Sequence, residues 1–215
     1  MGDIIDLAAH REARRRRTER RDMSRVEILF DLACPFTYLL AERADRALRE
    51  VTWTPASLAT LRGTPSPVEA AGVRAAAEAR AQALRLPLSW PERFPADVPA
   101  AMRVASLAAE GGRAGAFVLA ASRLAFCGGF DLEDVEILAE AAAAAGLGLE
   151  ACLRAARDVT RDGQMEAVAR TALAQGADRL PAIRVGRLLF QGEDRLAEAA
   201  AAARGAAVTG LVARS

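Results

Sequence analysis

The chain has 215 residues, enough for one large domain or for a small domain carrying an insertion. Its 52% hydrophobic content supports a sizeable core, while a net charge of +1 offers no global attraction to nucleic acid or membranes. All 29 basic residues are Arg and the chain holds neither Lys nor Asn, which excludes a P-loop phosphate lysine, a Schiff-base lysine and a pyridoxal-phosphate anchor.

In chain order, residues 1–23 form an Arg-rich extension in which Glu12, Glu19 and Asp22 interrupt eight arginines across positions 11–25. One reading is an arm for nucleic acid or an anionic surface. The favoured one is a solvated, partly helical extension, because no aromatic residues are interleaved for stacking. The single histidine, His10, lies in it, so Cys–His and Ser–His catalysis have no base, and one His with three scattered Cys makes no metal cluster.

The most informative stretch follows. Val26-Glu27-Ile28-Leu29-Phe30 reads as a strand, and Asp31-Leu32-Ala33-Cys34 as a turn. Pro35 opens a helix to about Arg49, with Phe36, Leu39, Leu40, Ala44 and Leu48 as buried positions. Cys34 therefore caps a helix N-terminus, where free N–H groups and the macrodipole favour a thiolate. The expectation is a thiol pKa below the roughly 8.5 of free cysteine. The plainer reading is a small apolar cysteine that only packs.

Val51-Thr52-Trp53-Thr54 reads as a short strand stopped by Pro55, and residues 63–67 as a loop before a helix over 68–84. Pro87, Pro91, Pro95 and Pro99 punctuate an extended crossing. Alanine-rich helices follow over roughly 99–110, 113–127, 131–145, 149–156 and 162–175, with Asp131 and Asp134 as caps and Gly146 and Gly176 as stops. Residues 179–185 read as a strand with Pro181 near its start, and Gly186-Arg187 turns it into Leu188-Leu189-Phe190. Glu193-Asp194-Arg195-Leu196 begins a last helix, with acids at its positive end. Cys127 and Cys152 read as packed small residues.

This order predicts an α/β chain: a thioredoxin-like fold with an all-helical insertion. The thioredoxin-like domain is discontinuous, over 24–60 and 177–205, around a helical insertion over 61–176, and residues 206–215 form a C-terminal tail. Three widely spaced cysteines are not a disulfide framework. No apolar run near the N-terminus has the length of a signal-peptide core, and nothing approaches a membrane span. The expected compartment is a reducing cytoplasm.

Four pieces together carry a family resemblance: Phe30-Asp31 with Cys34-Pro35-Phe36-Thr37-Tyr38-Leu39, residues 86–95 (LPLSWPERFP), Leu180-Pro181, and residues 190–196 (FQGEDRL). Over residues 25–203 the chain resembles the 2-hydroxychromene-2-carboxylate isomerases and kappa-class glutathione transferases, within the DsbA-like thioredoxin superfamily. The resemblance implies a serine, in the isomerase and kappa branch, at the position of Cys34, hydrogen-bonded to the glutathione thiolate. In the disulfide-exchanging branch it implies cysteines at the positions of both Cys34 and Thr37. Leu180-Pro181 matches the family's cis-proline, whose preceding residue offers its backbone to a substrate. Asp194 and Arg195 match the pair that holds the γ-glutamyl end of glutathione, which suits an acid for the α-amino group and Arg for the α-carboxylate. The family's Lys and Asn in the first part of the insertion have no counterpart, with Arg62 and Arg74 as candidate replacements for the cation, and residues 61–72 are shorter and differently composed.

The implied reading is a glutathione-dependent transferase or isomerase, acting through a thiol or thiolate at Cys34 with glutathione as cosubstrate. Its site comprises Cys34, Pro35, Leu180, Pro181, Asp194 and Arg195. Two alternatives stand beside it: a monothiol thiol-disulfide oxidoreductase with Cys34 as nucleophile, and a non-catalytic thioredoxin-like binding module. The partners implied are glutathione with a small electrophile or a thiol/disulfide substrate, and a second copy in a homodimer.

Overall fold

The computed structural model describes residues 25–63 and 65–212. The Arg-rich extension and His10 lie outside the described residues. Strand β1 (Val26–Phe30) leads through the Cys34 turn into α1 (Pro35–Ala47) and back to β2 (Val51–Pro55). β1 and β2 run parallel with Ile28 opposite Trp53, as a strand–helix–strand crossover requires. After the helical insertion, β3 (Ala182–Val185) pairs antiparallel with β1, Ile28 opposite Ile183, and β4 (Leu188–Gln191) completes the hairpin. The strand order is β2-β1-β3-β4.

Between β2 and β3 every element is helical: α2 (Leu58–Arg62), α3 (Pro67–Leu84), α4 (Pro99–Glu110), α5 (Ala114–Phe126), α6 (Val135–Ala144), α7 (Leu149–Arg157), a 3₁₀ turn (Val159–Arg161) and α8 (Asp162–Ala174). A second 3₁₀ turn (Glu193–Arg195) precedes α9 (Leu196–Val212). No helix among the described residues is long and apolar enough to cross a membrane.

Several helix boundaries differ from the sequence reading for local reasons. The spacing predicts no helix at α2, which is five residues long; it forms because the Ser57 hydroxyl accepts the Thr60 N–H at 3.1 Å. The helix expected from 131 starts at Val135: Asp131 caps a preceding turn by accepting Glu133 N–H, and Asp134 is the N-cap proper. The acids at 193–194 sit in the 3₁₀ turn, and α9 continues past residue 205, through a segment expected to be a tail.

The alanines have a packing purpose. Ala101, Ala105, Ala108, Ala121, Ala125, Ala141 and Ala142 are all buried, letting α4, α5 and α6 approach closely. At Gly115 the approach is closest, since a Cβ there would stand 2.9 Å from Trp53 Nε1. α5 therefore seats directly on the Trp53 ring of β2, which meets Phe30 edge-on at 5.7 Å. α1 packs between α5 and α9, so its N-terminus emerges where sheet and insertion meet. The family resemblance leaves Arg74 as a replacement cation; in the structure its guanidinium instead lies over Trp90 (4.6 Å) and Phe94 (5.1 Å), while Glu78 accepts the Trp90 N–H. These contacts fasten α3 to the proline-punctuated crossing.

Candidate active site

Cys34 is the extended N-cap of α1, with Pro35 in the first turn, as the Cys-Pro pair predicts. Its backbone N–H donates to Asp31 O (3.2 Å) and its carbonyl accepts the Thr37 N–H (3.0 Å), which closes the turn. Only 4% of the residue is exposed. The Sγ–H donates to the carbonyl of Leu180 at 3.3 Å, 146 residues away in sequence. The Leu180–Pro181 peptide bond is cis.

The expected depression of the thiol pKa does not occur. Burial pushes Cys34 up to about 11, and the negative charge of Asp31 adds to it. The N–H groups of Phe36 and Thr37 and the Thr37 hydroxyl favour the thiolate but do not offset burial. The helix terminus is present, yet among the described residues no arginine is among the groups acting on the sulfur, and a desolvated anion costs more than one turn of N–H dipoles returns. The Thr37 hydroxyl is buried and makes no hydrogen bond in this state, so it stands as a reserve donor for an anion at the sulfur position.

Asp31 is a site residue whose role is invisible in the sequence. It is 7% exposed, and both carboxylate oxygens accept backbone N–H groups, from Ala33 at 2.8 Å and from Leu58 at 2.7 Å. Burial raises its pKa to about 6 against those two bonds, with Asp97 contributing.

The structure brings Cys34, Pro35, Leu180 and Pro181 together. The turn carrying Asp194 and Arg195 lies beside them, because Gly192 N–H donates to Pro181 O at 2.8 Å. Gly192 is obligatory here: its φ is +97°, and a Cβ would stand 2.4 Å from Asp194 Oδ1. Asp194 and Arg195 are exposed, Arg195 pairs with Glu198 at 2.5 Å, and among the described residues neither hydrogen-bonds the Cys34 turn. Their neighbour Glu193 is the buried member, 3% exposed, gripped by Arg43 of α1 and by Arg80 of α3 at 2.5 Å.

The other cysteines are occupied elsewhere. Cys152 is fully buried. Cys127 donates to the Tyr38 hydroxyl at 3.1 Å, which in turn donates to Pro87 O at 2.8 Å. A shallow crevice with about 20 Å³ of room for water-sized groups is walled by Leu32, Ala33, Phe94, Phe126 and Phe130.

Residues 25–204 match the DSBA-like thioredoxin domain. A 2-hydroxychromene-2-carboxylate isomerase superposes over 88% of this chain and 98% of its own, with a TM-score of 0.72 at 18% identity, a likeness of fold. A probable DsbA oxidoreductase from Streptomyces coelicolor covers 84% of this chain and 90% of its own, with a TM-score of 0.67 at 26% identity. No curated protein matches the chain in sequence.

Proposed function

The chain belongs to the DsbA-like thioredoxin-domain family, and from that premise we propose that it is a glutathione-dependent transferase or isomerase in which Cys34 holds the reacting sulfur and does not itself attack. The observation that carries this reading is the Cys34 thiol: buried, protonated, and donating to the Leu180 carbonyl. A nucleophilic cysteine is poised by cations or by access to water, and among the described residues Cys34 has no cation beside it and only 4% of it is exposed.

The proton bookkeeping favours the same role. A cysteine thiol free of perturbation titrates near 8.5, whereas Cys34 titrates at about 11. When two thiols share one proton, it stays on the weaker acid. A glutathione sulfur replacing Leu180 O as the acceptor is thus left as thiolate, with Cys34 Sγ–H and the unpartnered Thr37 hydroxyl donating to it. The Leu180 backbone is then free to take the cysteinyl backbone of glutathione, and Asp194 and Arg195 its γ-glutamyl end. The thiolate attacks a small electrophile, and the adduct either departs as a conjugate or rearranges and releases glutathione.

The test is substitution at position 34. Cys34→Ser keeps a donor and should retain glutathione-dependent turnover within a fewfold. Cys34→Ala removes a hydrogen bond to a charged sulfur, about 1.5–3 kcal/mol, and should lose roughly ten- to a hundredfold. A dead Cys34→Ser variant refutes the donor role. It would also favour a second reading, Cys34 as a monothiol oxidoreductase nucleophile, which the 26% identical oxidoreductase supports.

The ligand's other end is tested separately. Arg195→Ala should weaken glutathione binding by about ten- to a hundredfold, since one charge-assisted bond is lost, with the melting temperature unchanged. Calorimetric titration showing parental affinity would place the γ-glutamyl group elsewhere.

A further inference from the structure

Asp31 is a buried titratable group for which the proposed reaction has no task. One residue closes the Cys34 turn three times over: its carbonyl accepts the Cys34 N–H, Oδ1 accepts the Ala33 N–H, and Oδ2 reaches the Leu58 N–H at the first position of α2. Both carboxylate oxygens face donors, an arrangement that suits the anion, because a proton on either oxygen would confront an N–H. Among the described residues no arginine pairs with this carboxylate, and the charged group acting on it is Asp97, from the segment before α4. Its negative charge therefore acts unneutralised on the neighbouring sulfur, in surroundings where both residues are nearly fully buried. Two anions three residues apart in one buried turn disfavour one another.

We propose that Asp31 is a positioning residue: its carboxylate anchors the Cys34 turn to the start of α2, and its charge adds to burial in holding the Cys34 thiol in the protonated, hydrogen-bond-donating form. The proposal rests on the reading of Cys34 as a donor and adds a second cause, beside burial, for its protonated form. The groups facing the pair are Asp97 on the carboxylate side, and the Phe36 N–H, Thr37 N–H and Thr37 hydroxyl on the sulfur side.

Thiol modification by methyl methanethiosulfonate, followed at Cys34 by peptide mapping, tests this without glutathione. In the unaltered protein, ionisation of Asp31 near pH 6 should raise the Cys34 pKa while the pH itself is rising. The logarithm of the rate should then climb by about one unit, and not two, between pH 5 and 7, and with unit slope above that range, if the coupling is about one pKa unit. In Asp31→Asn, and in Asp31→Ser, which keeps an acceptor for the Ala33 N–H, the rate at pH 8 should rise about tenfold and the low-slope region should vanish. A slope of one throughout the profile of the unaltered protein overturns the proposal even if neither variant folds, and so does a folded variant with the parental profile. Either failure leaves the donor role of Cys34 to the Cys34→Ser experiment, so the two ideas fail separately.

Discussion

Between pH 4 and pH 7 the folded state should lose about 2 kcal/mol of stability at Asp31 alone. The carboxyl has an ordinary pKa near 3.9 in the unfolded chain and about 6 in the folded one. A raised folded pKa means that the native state binds the proton more tightly. The stabilisation is complete below the unfolded value and is lost as pH climbs through the folded value; about two pKa units at 1.36 kcal/mol each set the full effect, most of which falls between pH 4 and pH 7. Other carboxylates run the opposite way: Asp131, beside Arg93, is held below its usual range and stabilises the fold above that range. The bare stability curve therefore mixes both signs. The difference between the unaltered protein and Asp31→Asn isolates the effect, because only one of them titrates at this position. Urea unfolding at pH 4, 5, 6 and 7 should show the parent's advantage over the variant shrinking by about 2 kcal/mol across the series. A pH-independent difference would mean that the carboxyl is ordinary. Cys34 should add an alkaline counterpart, its contribution present below about pH 8.5 and lost as pH rises through 11.

What was legible in the sequence is what local chemistry decides. Pro35 at N1 and the period of Leu39, Leu40, Ala44 and Leu48 mark α1 and its buried face, and Gly146 and Gly176 take the positive φ expected of helix stops. The order of strands and helices was enough to place the thioredoxin-like sheet, because parallel β1 and β2 need a crossover and residues 182–191 hold a hairpin. What escaped depends on residues far apart in the chain. The acidity of Cys34 was misjudged because its surroundings come from Leu180 and from burial, neither of which the helix-cap pattern contains. Asp31 appeared only as part of a Phe-Asp pair; its second acceptor bond goes to Leu58, on a helix too short to leave a periodic trace. Glu193 looked like an ordinary acid at a helix start, whereas its partners lie 150 and 113 residues away. Charge patterning alone cannot tell such a residue from Asp194 beside it.

Glu193 is where a large loss of stability should follow the substitution of a single charged residue. The carboxylate is 3% exposed and joins three parts of the fold: Arg43 of α1, Arg80 of α3, and its own turn between β4 and α9. Arg80 Nε and a second Arg80 nitrogen at 3.4 Å engage both oxygens, and Glu193 and Asp194 together raise the Arg80 pKa. Breaking a buried pair by removing one partner costs about 3–5 kcal/mol. The two arginines keep 25% and 34% of their side chains exposed and can rehydrate, which puts Glu193→Ala at the low end, about 3 kcal/mol. For a chain of this size that lowers the melting temperature by about 6–12 °C. Because α3 is tied to the sheet domain through Arg80, amide exchange over residues 67–84 should accelerate more than exchange in α4. Glu150→Ala provides the control: it breaks an i,i+4 pair with Arg154 in which the glutamate is 87% exposed, and should change stability by no more than about 0.5 kcal/mol. Scanning calorimetry with hydrogen exchange on the two variants decides the matter. If Glu193→Ala melts with the parent, the triad is an accessory of the turn and α3 is held in place by its buried alanines and by Trp90 and Phe94.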